Sequence, residues 1–525
     1  MDELILTVDL GTSGPKVALF DTKAKLIGSA FEEIPLLLFE NGGAEQRPAD
    51  WIAAIKSCYS RLIYETKANP KHIIAMNCTS QWSGTVAVDR QGNPLMNSII
   101  WMDSRGAASL KKLNSSLLNV DGYDLFKILK WLKITGGAPS KAGKDSLAHI
   151  LYLKDALPEI YAQTYKFLEP KDYLNLYFSG QFLSSYDAIT LHWVTDNRDI
   201  NKIDYHPGLI KMVGLDREKL PDLVPTNSIV GKIRKEIAQE FGLNEDVQLI
   251  SGAGDVHSAA VGSGAVNDYE GHLYIGTSSW IVCHTPVRKT DVVHNIGTIP
   301  SGIPGKYMVA NEQQTMGACL QFLRNNIFYP KDALNPAPPP ENFYAVADQL
   351  VDSVAPGAGG LIFMPWLYGE RSPYDDSTVR GGFMNLTLAH TRAHLFRSVF
   401  EGVALNSRWL FQYVEKLAGR KFEHINFIGG GAKSATWCQI FADIYDRPIH
   451  AMKDPILCNS RGTAILALLA LGKTDLASIG KLVEVQKVFD PRAEYRSLYD
   501  ERFARFVETY KNNKSFFAKM NAVKK

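Results

Sequence analysis

The sequence predicts an α/β protein of two related domains that face one another across a cleft. Three observations carry this prediction. The 525 residues exceed the roughly 250–300 at which a single hydrophobic core stops growing. A Gly-Thr-Ser turn between two β-like runs occurs twice, at 11–13 and at 276–278. A strand, a glycine-rich turn and a helix follow one another over 425–445. The expected division is 1–250 for the first domain and 251–525 for the second.

The first domain opens with an apolar run at 5–8, the turn Asp9-Leu10-Gly11-Thr12-Ser13-Gly14 and a second apolar run at 17–20. Such a hairpin aims backbone N–H groups and two hydroxyls at an anion. A further β-like pair, 72–76 and 85–88, flanks Asn77-Cys78-Thr79-Ser80-Gln81-Trp82-Ser83-Gly84. There Gln81 and Ser83 supply hydrogen bonds and Trp82 a flat apolar face, a suitable wall for a small polar ligand. Trp101-Met102-Asp103-Ser104-Arg105 repeats that theme. In the Tyr- and Trp-rich stretch 156–207, Asp187 and His192 are candidates for a sugar pocket, His192 being as readily a surface histidine. Lys144, after Gly143, fails the P-loop test and reads as a linker residue.

The run 247–250 leads through Ser251-Gly252-Ala253-Gly254 into a helix whose amino end carries Asp255. The second hairpin follows, 272–275 and 280–283 around Gly276 and Thr277. The segment Gly429-Gly430-Gly431-Ala432-Lys433-Ser434 is neither a Walker A loop nor a dinucleotide fingerprint. As strand, turn and helix start it still permits close backbone approach to a nucleotide. Arg371, in Gly369-Glu370-Arg371-Ser372-Pro373, reads as a tie between loops through carboxylate pairing. Helical composition dominates 389–413 and 463–471.

Charge narrows the function. With 57 Lys+Arg against 55 Asp+Glu the net charge is +2, too little for a phosphate-backbone footprint. No tract approaches the roughly 20 apolar residues of a membrane span, and Met-Asp-Glu at the start is unlike a secretory signal. Six scattered cysteines form no scaffold or metal spacing, so a reducing cytoplasm is the expected location. Two anion-holding turns, a nucleotide-type turn and two carboxylates at element ends suit phosphoryl transfer. Asp255 takes the proton of an attacking hydroxyl, Asp9 holds a hydrated Mg²⁺, and Thr12, Ser13, Gly276 and Thr277 donate to the phosphates.

These pieces, in this order, resemble the FGGY carbohydrate kinase family over nearly the whole chain: Asp9 to Gly14, Trp101-Met102-Asp103-Ser104-Arg105, Gly252-Ala253-Gly254-Asp255, Gly276-Thr277-Ser278 and Gly429 to Ser434. The resemblance implies two actin-like domains with ribonuclease-H-like cores flanking a catalytic cleft, and transfer of the ATP γ-phosphate to a sugar or polyol. It implies ATP and Mg²⁺ as cofactors, Asp255 as base, Asp9 and Asp255 at the metal, and Gly430, Gly431, Ala432 and Lys433 at the adenosine. Gln81, Trp82, Ser83, Trp101, Asp103 and Asp255 then face the sugar. Pro170-Lys171-Asp172-Tyr173-Leu174 and Gly369 to Pro373 are most similar to the xylulokinase branch, which makes D-xylulose or a related ketose the leading substrate. That branch usually has Gln-Met-His-Gly where Gln81-Trp82-Ser83-Gly84 stands here, and the Asn-Gln-Arg-Glu-Thr pattern of glycerol kinases is also missing. The alternatives are a kinase for another pentitol, tetritol or sugar acid and, in another class, an actin-like ATPase or a non-catalytic sugar-binding protein. The expected partners are a small-molecule sugar or polyol, with a homodimer an open option and neither nucleic acid nor membrane.

Overall fold

The structure, a computed structural model, describes residues 3–521. Two mixed sheets dominate it. The first has six strands in the spatial order Ile229–Lys232, Gln248–Ile250, Ile73–Ser80, Leu4–Gly11, Gly14–Asp21, Leu26–Phe31. Leu4–Gly11 is buried along seven of its eight residues, as a strand covered on both faces must be. It pairs antiparallel with Gly14–Asp21, from Leu4 opposite Asp21 to Gly11 opposite Gly14, and parallel with Ile73–Ser80.

The second sheet, of eight strands, repeats the arrangement. Its hairpin Gly271–Ile275 and Ser279–Thr285 closes with Ile275 opposite Ser279. Gly271–Ile275 then runs parallel to Ile425–Ile428, which runs parallel to Ile449–Met452. In both sheets a hairpin is thus extended by two further parallel strands on the side of its first strand. The pair expected at 72–76 and 85–88 is resolved differently. Ile73–Ser80 joins the main sheet, whereas Val86–Val88 pairs with Lys166–Leu168.

Two helices lie between the sheets. Asp255–Gly262 crosses Cys458–Ala470 at glycines: a Cβ on Gly262 would lie 1.8 Å from the Cys458 carbonyl oxygen, and one on Gly462 1.8 Å from that of Ser258. One core joins this helix pair to both sheets through Ile5, Phe20, Ile250, Ala259, Ile428 and Ala464. The first sheet's other face is covered by Pro48–Thr66, which starts with proline at its first turn and buries Trp51, Ile55 and Tyr59. Arg392–Ala418 backs the second sheet. It is capped by Thr391 and ended by Gly419 at φ +74°, and its Phe396, Phe400 and Trp409 form the largest core. Between the halves, Arg288 donates to the carbonyls of Ile134 (2.7 Å) and Lys133 (2.5 Å), the last of the helix Leu125–Ile134. No helix among the described residues is long and apolar enough to cross a membrane. All six cysteines are free and buried.

Candidate active site

Both Gly-Thr-Ser turns are tight hairpin ends. At the first, a Cβ on Gly14 would meet the Glu32 carbonyl oxygen at 1.9 Å, so only glycine fits. Ser13 is exposed and Thr12 half-buried. The Thr12 hydroxyl donates to Gln81 Oε1 (3.1 Å) and accepts from Trp101 Nε1 (2.9 Å). Gln81 Nε2 donates to Gln46 Oε1 (2.7 Å), and Gln46 Nε2 donates to the Thr12 carbonyl (2.7 Å). Gln81 and Trp101, expected at the sugar, therefore brace the first hairpin turn, and the Trp101 ring keeps a partly exposed face. Gln46, the hub of this network, carries no motif signal.

At the second turn, the Gly276 carbonyl accepts from Gly317 N (3.0 Å) and the Thr277 carbonyl from Met316 N (2.9 Å). These bonds seat the start of the helix Gly317–Phe322 on the turn and leave the Thr277 side chain exposed. The glycine turn lies against the same strand end. Gly429 adopts φ +84° and ψ −174°, and a Cβ there would stand 2.5 Å from the Ile275 carbonyl oxygen. Gly430 and Gly431 likewise approach Ile275, the residue before Gly276. Ser434 caps the helix Ala435–Tyr445 and donates to Asp348 (2.7 Å), whose carboxyl burial pushes up to about 6. Ala432 and Lys433 also line a cavity of about 420 Å³ with Ile456 and Phe489.

Asp255 is the first residue of its helix, and its Oδ1 accepts from Val256 N (2.8 Å). It is partly buried. Burial, then the negative charge of Asp9, push its pKa to about 7, against the smaller opposing effect of the backbone N–H groups. Asp9, at 5% exposure, lies 3.5 Å from Lys16 Nζ. Lys16 in turn donates to the Ile456 carbonyl of the second half (3.2 Å). Tyr274, stacked on Trp280 at 3.9 Å, is pushed up to about 12 by burial and then by Asp255 and Asp9. Among the described residues no cluster of three or more His, Cys, Asp or Glu forms a metal cage. The oxygen-only pair Asp9 and Asp255 fits an ion that keeps most of its waters.

The sugar-side residues separate into two groups. Trp82 donates to the Ala188 carbonyl (3.0 Å) and meets the His257 ring edge-on at 5.0 Å, beside Gly254. Ser83, at φ +67°, spends its hydroxyl proton on the Lys144 carbonyl (2.7 Å), so its lone pairs alone remain for a ligand. Asp103 is fully buried. Its carboxylate accepts from Ala44 N and Arg105 Nε (both 2.9 Å) and pairs with Arg105 Nη2, which also binds Glu45 (2.6 Å). Asp103, expected at the sugar, thus has its carboxylate held by the guanidinium two residues on. His192 is likewise no surface residue but buried, 3.8 Å from Glu169. Arg371 is tied to Glu312 at 2.6 Å.

Comparison with known proteins assigns the chain. Residues 4–262 match the N-terminal domain of the FGGY family of carbohydrate kinases, and residues 272–471 its C-terminal domain. The chain belongs to the FGGY family. It is an ATP-dependent carbohydrate kinase. The xylulose kinase of Staphylococcus epidermidis is 30% identical over 98% of both chains, and the gluconokinase of Bacillus subtilis 26% identical over 95% of this chain and 94% of that one. The ligand-bound xylulose kinase structure from Lactobacillus acidophilus superposes with a TM-score of 0.86 at 23% identity, covering 99% of this chain and all of the other. The FGGY fold thus accounts for the repeated sheets and the cleft between them.

Proposed function

We propose that this FGGY kinase transfers the γ-phosphoryl group of Mg-ATP to a hydroxyl of D-xylulose or a closely related ketose, with Asp255 as general base. What supports the base assignment is the place of Asp255, a partly buried carboxyl on the first residue of a helix with Asp9 and Tyr274 close by; burial there raises its pKa to about 7, suited to a base for neutral-pH chemistry. Asp255 takes the hydroxyl proton, the sugar oxygen forms its bond to the γ-phosphorus, and the bond to the β-bridging oxygen breaks to release ADP. The Ser13 and Thr277 hydroxyls and the turn N–H groups stabilise the phosphoryl oxygens, while Thr12, whose hydroxyl proton goes to Gln81, holds the turn in shape. Asp9 and Asp255 would hold a hydrated Mg²⁺, which offsets phosphate charge when bound. Gly430 to Lys433 take the adenosine side. Trp82 and Trp101 offer aromatic faces to the sugar.

D-xylulose rests on relatives named xylulose kinase along the whole chain. Free, buried cysteines suit a cytoplasmic enzyme. The test is phosphorus NMR of the product made from Mg-ATP and D-xylulose. A new phosphomonoester resonance with stoichiometric ADP supports the reading, and none with D-xylulose, but one with gluconate, would replace the ketose by a sugar acid.

A further inference from the structure

The loop 251–254 that delivers Asp255 is gripped at both ends by buried charges. At its start, the Ser251 carbonyl accepts from Lys171 Nζ (2.8 Å) and Asn175 Nδ2 (2.7 Å). Lys171, at 1% exposure, is neutralised by its ion pair with Asp172. In the middle, Gly252 adopts φ +70°, where a Cβ would lie 2.3 Å from the Cys78 carbonyl oxygen. At its end, Gly254 N donates to Asp187 Oδ2 (2.8 Å). Asp187 has no exposed surface, and its other oxygen has no hydrogen-bond partner. His257 Nδ1 lies 3.5 Å from the oxygen that holds Gly254; a carboxylate this buried, with one backbone donor and that imidazole, is an expensive scaffold element, yet it sits one peptide from the proposed base. The next residue, Ala188, takes the indole N–H of Trp82. One short 3₁₀ turn, Ala188–His192 with Asp187 before it, therefore touches both the sugar wall and the base loop.

We propose that Asp187 is a positioning residue for Asp255. It fixes the Gly254 peptide, and so the direction of the Asp255 carboxylate, relative to a sugar seated on Trp82. This rests on Asp255 being the base. What matters is an acceptor at this distance, so the isosteric D187N, whose amide oxygen still accepts from Gly254 N, must be distinguished from D187E, which keeps the charge and moves the oxygen.

Both variants, with D255N as control, are assayed for kcat and for KM of Mg-ATP using the sugar that stimulates the wild type most. D187E is expected to lose about 10–100-fold in kcat, as for misplacement of a catalytic group by about 1 Å. Its KM for Mg-ATP should change less than about threefold, and a wild-type circular dichroism spectrum and melting transition at the assay temperature should show that the loss is not one of folded fraction. D187N, whose amide oxygen can still accept from Gly254 N, should keep kcat within about fivefold of wild type. Should D187E not fold, D187A takes its place with the same expectation. Equal loss in D187N and D187E, or wild-type kcat in the variant that moves or removes the acceptor, overturns the proposal. Near-normal turnover in D255N would instead remove the base assignment, so the two failures are separable.

Discussion

Asp255→Asn tests the site through two signals of opposite sign. In the native protein, burial and Asp9 carry the Asp255 pKa from an ordinary 3.8 to about 7. At about 1.4 kcal/mol per pH unit, that shift sets a ceiling of about 4 kcal/mol on the cost of holding the charged carboxylate. The partial exposure of Asp255 lets water screen the charge, which reduces the expected figure to about 1–3 kcal/mol. The folded pKa is raised, so the native state binds the extra proton between pH 4 and 7 and stability falls as pH rises through that window. Asparagine carries no such cost. The variant should therefore melt at the wild-type temperature near pH 4 and higher at pH 8. With an unfolding entropy of about 2.1 cal/mol/K per residue, the gain is about 1–3 °C. Turnover should move the other way, falling at least about a hundredfold with ATP affinity retained, as for loss of a general base. In the wild type, kcat/KM should fall below about pH 7, where the base becomes protonated. Calorimetry at the two pH values and initial rates of ADP formation read both signals. A variant less stable than wild type at pH 8, or one with near-normal turnover, would refute the reasoning.

Trp82→Ala should change relative kcat/KM among ketoses and polyols by about tenfold or more, the scale of one lost pocket contact, while KM for Mg-ATP stays nearly constant; equal losses on every sugar would contradict its place in the wall. Gly429→Ala forces a Cβ against the Ile275 carbonyl in a backbone region open almost only to glycine, so a loss of about 1–3 kcal/mol and a raised KM for Mg-ATP are expected by denaturation and kinetics. Arg105→Met strands the carboxylates of Asp103 and Glu45, and about 3–5 kcal/mol should be lost in denaturant unfolding; an unchanged midpoint would contradict a stabilising role for this buried triad.

Features set by local chemistry were legible in the chain. Two hairpins of apolar runs closed by Gly-Thr-Ser, and a strand, glycine turn and helix start, announced a repeated α/β architecture because glycine placement and run length are properties of short segments. The structure draws Gly429, Gly430 and Gly431 up to Ile275, the residue before Gly276. Pairings across long separations were not legible. Nothing in the string around Asp103 showed that Arg105 would join its carboxylate to Glu45. Gln46 and Gln81, 35 residues apart, share one network on Thr12, and no periodicity encodes that meeting. Lys171 stood out only as part of a familiar string, and its contact with Ser251 lies 80 residues away. Trp82 had an aromatic signal, but its partners Ala188 and His257 depend on how two distant segments cross.

The most direct measurement is ADP release from Mg-ATP by the purified protein across ketopentoses, ketohexoses, pentitols, tetritols, glycerol and gluconate, beside a no-sugar control. Strong stimulation by D-xylulose or a close relative, over a low control rate, is the predicted result. An equal rate in every well, with or without sugar, would contradict phosphoryl transfer to a carbohydrate.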